Sequence, residues 1–319
     1  MNISVLGCGR WGSFIAWYLD KTGHSVTLWG REGSEKFKRI SETRKNEFIT
    51  FRQSITLTNS LEEAVGSCEV LIISISAQAL RSLMAKLSDC PLSGKTIVLC
   101  MKGIEESTGK RLTEIVEEFV DDTTPVAIWV GPGHVQDFAN GIPNCMVIDS
   151  KNSEVKHKLV HAFSSDLIRF YFGTDLIGNE IGAAAKNVIG IAAGMLDGVR
   201  RSSLKGALMS RGTREIARLI KAMGGNEISA YGLCHLGDYQ ATLFSEYSHN
   251  RKFGESFILH KQYGELAEGV STTRALCRLG ERYGVDLPIC KAIDSIVNKG
   301  EDPERVLSSL FIRSLKEEF

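Results

Sequence analysis

Residues Ile3 to Leu6 form a short β-compatible run, and the chain then reads Gly7 Cys8 Gly9 Arg10 Trp11 Gly12. Glycines at this GxGxxG spacing, directly after a strand and opening a helix, restrict the possible folds more than any other stretch of the sequence. Gly7 permits a tight turn, Gly9 lets the backbone approach a pyrophosphate, and Gly12 lets the helix pack close to the sheet. The helix N-terminus offers unpaired N–H groups and a positive dipole end to the anion. The flanks give the context that a bare glycine cluster lacks. Ser13 to Lys21 has helical spacing, Gly23 ends it, and Ser25 to Trp29 reads as a second strand.

An acidic residue at the tip of that second strand would accept the ribose hydroxyls of NAD. Here the tip is Gly30 Arg31 Glu32. Arg31 suits the 2′-phosphate of NADP or stacking on adenine, and Glu32 can still reach the ribose, so NAD and NADP both remain as cofactors. From Glu35 to Phe51 the chain is charged and its periodicity is poor. Ile55 to Leu57 then reads as a strand, Asn59 or Ser60 as the cap of a helix, and Val70 to Ile75 as a buried strand.

Thr96 to Met101 with a helix over Ser107 to Val120, and Val126 to Val130 with the turn Gly131 Pro132 Gly133 His134, repeat the strand-then-helix pattern of a mostly parallel sheet. Ligands in such sheets sit beyond the carboxyl ends of the strands, where Lys102 and Gly131 fall. Both are site candidates, although a lone lysine after a strand, without other support, reads first as a solvated turn residue. Cys145 to Ile148, a helix over Glu154 to Phe163, and Ile168 to Phe172 complete this part.

At residue 174 the composition changes. Thr174 to Arg200 is rich in Gly and Ala without proline, and Gly178, Gly182, Gly190 and Gly194 recur at multiples of four. Each glycine weakens a helix by about 1 kcal/mol, so a packing or ligand reason is expected for them. Lys186 and Asn187 lie in the middle of this run, where a lysine has few solvated options other than snorkelling to a surface. Helical segments continue from Ser203 to Met223 and from Ser256 onward, the last two opened by Leu287 Pro288 and Asp302 Pro303. The chain therefore divides into an α/β domain over 1–173 and an all-helical domain over 174–319. Asp238 with two glycines, and Ser248 His249 Asn250 Arg251 Lys252 Phe253 Gly254 with amide, cation and glycine, suit a small phosphorylated carbonyl compound.

The 319 residues carry 38 basic and 38 acidic side chains, and 43% are hydrophobic. That balance excludes the basic excess of a nucleic-acid binder and the composition of a disordered chain. No apolar run reaches the length of a membrane span, and the N-terminus enters its strand without a charged leader, so a cytoplasmic protein without a membrane segment is expected. The eight cysteines form no CxxC pair. They fit small buried thiols in a reducing compartment better than disulfides or a zinc site.

Taken in order, GCGRWGS at 7–13, MKGIE at 101–105, GPGH at 131–134, NEIGAAAKNVIGIAAGMLDG at 179–198, LMSRGTREI at 208–216, GLCHLGD at 232–238, SHNRKFG at 248–254 and LAEG at 266–269 resemble the bacterial-type NAD(P)-dependent glycerol-3-phosphate dehydrogenases over nearly the whole chain. The resemblance implies a Rossmann-type domain followed by a helical one, and reversible reduction of dihydroxyacetone phosphate to sn-glycerol 3-phosphate for phospholipid synthesis. It also implies a homodimer. It puts the proton-transferring lysine at Lys186, with Lys102, Asn187, Asp238 and Thr242 lining the substrate. Gly7, Gly9, Arg10, Trp11, Gly12, Arg31, Lys102, Val135, His249, Leu266 and Glu268 then fall at cofactor contacts. Gly131, Gly133, Lys186, Asp238, Ser248, His249, Asn250 and Arg251 fall at substrate contacts, the phosphate being held around Asn250 and Arg251. Lys102 would favour the neutral form of Lys186 and Asp238 the charged form.

Three departures stand out. His249 replaces an arginine that would clamp phosphate, Gly133 and Val135 change the GPGH turn, and His235 stands where a small residue is common. All are expected to face substrate or nicotinamide. They leave open a different phosphorylated ketone, as in other hydroxyacid-dehydrogenase-group enzymes, or a nucleotide-binding protein without turnover.

Overall fold

The computed structural model describes residues 1–66 and 68–310, in two units. One comprises 1–102 and 110–180; the other comprises 103–109 and the chain from Ile181 onward.

In the first unit eight strands form one sheet: β1 (Asn2–Leu6), β2 (Ser25–Trp29), β3 (Thr56–Thr58), β4 (Val70–Ile73), β5 (Thr96–Leu99), β6 (Val126–Val130), β7 (Asn144–Ser150) and β8 (Ile168–Phe172). Their order is β3-β2-β1-β4-β5-β6-β7-β8. All neighbours are parallel except β6 and β7, which pair antiparallel with Ile128 opposite Asp149. The central strands β4 and β6 are buried at every residue, which is why they read as continuous apolar runs rather than alternating ones. The helices are α1 (Arg10–Lys21), α2 (Glu35–Thr43), α3 (Leu61–Gly66), α4 (Leu80–Leu87), α5 (Leu112–Glu117), α6 (Val135–Ala139) and α7 (Ser153–Phe163). Phe14, Tyr18, Trp129, Phe138 and Phe163 pack as an aromatic core, Phe14 and Phe138 stacking at 5.0 Å.

The strand order reverses between β1 and β4, and the glycine turn lies at that switch point. Gly7 has φ +120° and a Cβ there would lie 2.1 Å from the carbonyl oxygen of Ser74, just beyond β4. Gly12 would meet the carbonyl of Gly7 at 1.9 Å. Two of the three glycines are thus required by backbone-to-backbone approach.

Neither α2 nor α4 is in the sequence reading. α2 has one buried apolar residue, Ile40, and takes its start from the Ser34 cap, whose hydroxyl accepts the Phe37 N–H at 3.3 Å. α4 has the full periodic set Leu80, Leu83, Met84 and Leu87, all buried. The helix expected over 107–120 is confined to Leu112–Glu117. Gly109 takes the left-handed conformation, φ +74°, and the segment before it belongs to the second unit.

The second unit contains, after the first turn of α8 (Leu176–Gly198), helices α9 (Lys205–Ala222), α10 (His249–Ile258), α11 (Gly269–Tyr283), α12 (Pro288–Lys299) and α13 (Pro303–Ser309). No strand occurs among its described residues. Arg274, Arg278 and Arg282, one turn apart on α11, hold the turn-containing segment 103–109. Arg274 pairs with Glu106 at 2.6 Å, Arg278 donates to the Ser107 carbonyl, and Arg282 donates to the Thr108 carbonyl at 2.8 Å.

The glycines of α8 have a steric reason. A Cβ at Gly190 would lie 2.8 Å from Cγ2 of Thr242, and one at Gly194 would lie 1.9 Å from the carbonyl oxygen of Arg251. From the other side, Gly254 of α10 would meet the Ile191 carbonyl at 2.1 Å. The backbones of α8 and α10 therefore touch, as glycine on both faces allows. Gly194→Ala is expected to lower the urea unfolding midpoint, costing about 1–3 kcal/mol, because the obstructing atom is backbone and cannot turn aside. An unchanged midpoint would show that the helices can separate freely.

Candidate functional site

In the first unit, α1 begins immediately after Gly9, which caps it without any side-chain hydrogen bond, and no acidic residue lies in its first turn. A Cβ at Gly9 would meet nothing within 4 Å, in contrast to Gly7 and Gly12. The open glycine faces outward and the two crowded ones form the turn. This cradle, beside a positive helix end, fits the pyrophosphate of a dinucleotide. Arg10 lies 5.5 Å over the Phe48 ring, and half-buried Trp11 packs on Phe14 and Phe138. Arg31 and Glu32 are both exposed beyond β2.

At the carboxyl ends of β5 and β6, Lys102 donates from Nζ to the Gly131 carbonyl at 2.6 Å. The lysine is therefore not a solvated turn residue. Gly131 and Gly133 have φ +137° and +146°. A Cβ at Gly133 would lie 2.4 Å from the Phe138 ring. That glycine accommodates the aromatic core. Val135 is buried at the first position of α6.

In the second unit Lys186 is nearly buried, its side chain 11% exposed. Its ammonium donates to Thr242 Oγ1 at 2.7 Å and pairs with Asp238 Oδ2 at 3.0 Å, the Asp238 side chain being 1% exposed. Desolvating a charge is costly unless it is paired and hydrogen-bonded, and here both conditions are met. Thr242 sits in a single π-helical turn, Gln240–Phe244, which interrupts the chain between Asp238 and α10. Such turns recur at functional sites. Asn187 is buried on the adjoining face of α8, and its carbonyl is close enough to Gly269 that a Cβ there would lie 2.8 Å away.

The phosphate-type residues gather at the start of α10, each with a fixed partner. Ser248 caps the helix, accepting the Arg251 N–H at 3.3 Å. Asn250 Oδ1 accepts the Gly269 N–H at 2.9 Å. The Arg251 guanidinium is oriented through Nε on Asp197 at 2.7 Å, with Glu255 at 3.4 Å from Nη2. The Arg251 backbone N–H is thus not a spare anion donor, and its guanidinium remains the principal charge. His249 Nδ1 lies 2.6 Å from the Tyr263 hydroxyl. Leu266 is 62% exposed and Glu268 half-buried just before α11.

His235 corrects the sequence reading. The ring does not face outward; it is fully buried, between the Gly182 carbonyl and the Tyr239 hydroxyl. Other residues were not singled out at all. Asp197 holds both Arg251 and, at 2.7 Å, Lys205. It lies eleven residues after Lys186, three turns along the same face of α8, and that interval was its only signal. Glu215 is buried on α9 and accepts the N–H groups of Ile289 and Cys290, at the start of α12, at 2.8 and 3.0 Å.

The glycine cradle on a mostly parallel sheet and a separate helical unit with a buried lysine define a nicotinamide-dependent oxidoreductase. The N-terminal family profile described as NAD-dependent glycerol-3-phosphate dehydrogenase N-terminus matches residues 2–156, and the corresponding C-terminal profile matches 175–308. A glycerol-3-phosphate dehydrogenase [NAD(P)+] of Thermoanaerobacter sp. is 35% identical, the match covering 100% of this chain and 99% of the relative. Its counterpart from Geobacillus kaustophilus is 35% identical over 99% and 96%. The crystal structure of the Coxiella burnetii glycerol-3-phosphate dehydrogenase superposes with TM-score 0.92 at 25% identity, covering 98% and 99%. The chain belongs to the NAD-dependent glycerol-3-phosphate dehydrogenase family. D-mandelate dehydrogenase shares the fold more distantly, at TM-score 0.65 and 15% identity. No helix among the described residues is long and apolar enough to cross a membrane.

Burial pushes the Glu215 carboxyl up to about 7, outweighing the two backbone N–H groups that favour the carboxylate. A carboxyl raised in the folded state contributes stability that is present below its unfolded value, near 4.5, and is lost as pH rises through 7. The stability of the native protein minus that of Glu215→Gln is therefore expected to fall by about 3 kcal/mol between pH 4.5 and 8, at 1.36 kcal/mol per unit. Urea unfolding of both proteins at several pH values checks it; a difference that rises with pH reverses the assignment.

Proposed function

We propose that the chain catalyses the reversible NAD(P)H-dependent reduction of dihydroxyacetone phosphate to sn-glycerol 3-phosphate, with Lys186 exchanging the proton at the C2 oxygen. Residues 1–173 hold the cofactor and 174–319 bring the substrate and the proton. The observation that carries this reading is the Lys186 ammonium, nearly buried and held by Asp238 and Thr242 on the glycine face of α8. The relatives' name supplies the reaction.

When bound, the nicotinamide supplies or accepts the hydride at C2. The chain's own residues do the rest. Gly7, Gly9 and Gly12 cradle the pyrophosphate, Arg31 meets the adenosine end, and Arg10, Trp11, Val135, His249, Leu266 and Glu268 complete the cofactor contacts. Arg31 is compatible with either NADH or NADPH. Lys102, Gly131 and Gly133, together with Asn187, line the substrate.

Ser248, His249, Asn250 and Arg251 take its phosphate. The fixed Asp197 contact presents the Arg251 guanidinium in one orientation, which lowers the ordering cost of gripping an anion. The oxygen that becomes an alkoxide needs a proton and nearby positive charge, and the Lys186 ammonium provides both. Asp238 favours the charged form of that lysine before transfer and stabilises it again after the reverse step. The same reading includes a cytoplasmic homodimer, supported by the family resemblance.

Lys186→Ala is expected to retain NADH binding, followed by fluorescence titration, while turnover of dihydroxyacetone phosphate falls about 10²–10⁴-fold. Undiminished turnover sinks the assignment. His249→Arg is expected to lower the substrate KM, since a guanidinium grips phosphate bidentately and an imidazole does not. A flat or higher KM means that the pocket is built around the histidine and Tyr263.

A further inference from the structure

The turn that brings Asp238 and Thr242 to Lys186 is weak by itself. Asp238 ends a three-residue helical turn and Thr242 sits in one π-helical turn, neither of which holds its shape without outside contacts. Two side chains that do not touch Lys186 in the contacts above supply such anchorage. His235 Nδ1 lies 2.9 Å from the Gly182 carbonyl and its Nε2 lies 2.7 Å from the Tyr239 hydroxyl, both residues being 0% exposed. With its proton on Nδ1 the ring donates to the Gly182 carbonyl and accepts from the tyrosine at Nε2.

Gly182 precedes Lys186 by one turn on the same face of α8, and a Cβ there would lie 3.0 Å from the His235 Cβ. The imidazole is thus seated directly on the helix that carries the lysine. The Tyr239 hydroxyl reaches α9, lying 3.5 Å from Thr213 Oγ1 and 3.3 Å from the position of a Cβ at Gly212. His235 therefore ties the turn to α8, Tyr239 ties it to α9, and the two tie to each other. Asp238 adjoins one anchor in sequence and Thr242 follows it by three residues.

We propose that His235 and Tyr239 are a positioning pair for the proton-transfer group: they set the register of residues 235–242 against α8 and α9, so that Asp238 and Thr242 meet the Lys186 ammonium. This rests on Lys186 being the proton-transfer group. Burial keeps the pair in one protonation state. It pushes the imidazole down to about 4, against the Gly182 carbonyl, Asp238 and the Gly212 carbonyl, which favour the charged ring, and with Lys186, which opposes it. It pushes the Tyr239 hydroxyl up.

The test uses the full-length protein and the variants Tyr239→Phe, His235→Ala and His235→Asn. Tyr239→Phe keeps the ring and removes one hydroxyl. His235→Asn keeps a donor for the Gly182 carbonyl and loses the tyrosine. Two readouts are taken: the pH midpoint of Lys186 reactivity toward an amine-labelling reagent, from peptide mass spectrometry, and kcat against pH with dihydroxyacetone phosphate. Weaker contact with Asp238 and Thr242 disfavours the charged lysine, so the labelling midpoint of Tyr239→Phe and His235→Ala is expected to fall by about half a unit or more. Their kcat is expected to fall about tenfold or more with little change in the KM for NADH, and His235→Asn to recover part of both losses.

A lower melting temperature with midpoint and kcat unmoved makes the pair merely structural and overturns the proposal. Should His235→Ala fail to fold, Tyr239→Phe decides. The labelling midpoint needs no turnover. Absence of turnover in the native protein therefore counts against the proposed reaction, whereas an unmoved midpoint in an active, folded Tyr239→Phe counts against the pair.

Discussion

An ammonium ion that is nearly buried has to be met by opposite charge and hydrogen-bond acceptors, and much of the helical unit is arranged to meet the one on Lys186. The partners, Asp238 and Thr242, come from a stretch without a long helix of its own, and that stretch has to lie against α8. It can do so because α8 presents glycine where the turn and α10 approach. At Gly190 a methyl group would strike Thr242; at Gly194 it would strike the backbone at Arg251. The glycines weaken the helix as an isolated element and admit the contacts that stabilise it in place.

The same face carries a second charged cluster three turns further on. Asp197 fixes the Arg251 guanidinium and the buried Lys205, while Lys205 also donates to the Leu243 carbonyl at 2.8 Å. One helix thus holds the nearly buried Lys186 at its middle and the anchor of the Arg251 guanidinium near its end. The π-helical turn, further along the chain, is pinned to both clusters, by Thr242 to Lys186 and by the Leu243 carbonyl to Lys205.

Much of this was legible in the residues. The glycine turn, the parallel strands and the change of character near residue 174 follow from local spacing, and the glycine recurrence in α8 pointed to close packing before any partner was known. Lys186 was conspicuous because a lysine among Gly, Ala and Ile has to be explained. What escaped was set by distant contacts. Segment 103–109 departs from the expected helix where three arginines from α11 hold it, a fact with no trace in its own spacing. α2 has too few apolar residues to show a period. His235 was read as facing a ligand because of its place in a glycine-flanked turn, whereas burial beside Tyr239 depends on how that turn folds back on α8. α4 is a different case, since Leu80, Leu83, Met84 and Leu87 carry the helical period in full.

The path of segment 103–109 bears on what counts as a separable piece of this protein. The chain leaves the sheet unit after Lys102, contributes seven residues to the helical unit, and returns at Lys110. Neither unit is a single uninterrupted length of polypeptide. A fragment begun anywhere after Gly109 would lack the carbonyls and the carboxylate that Arg274, Arg278 and Arg282 engage, leaving three neighbouring cations on one helix without their counterparts. During synthesis those arginines emerge more than 160 residues after the segment they secure. The helical unit is therefore completed by a piece of chain that was made long before most of it, which couples its maturation to the full length of the sequence.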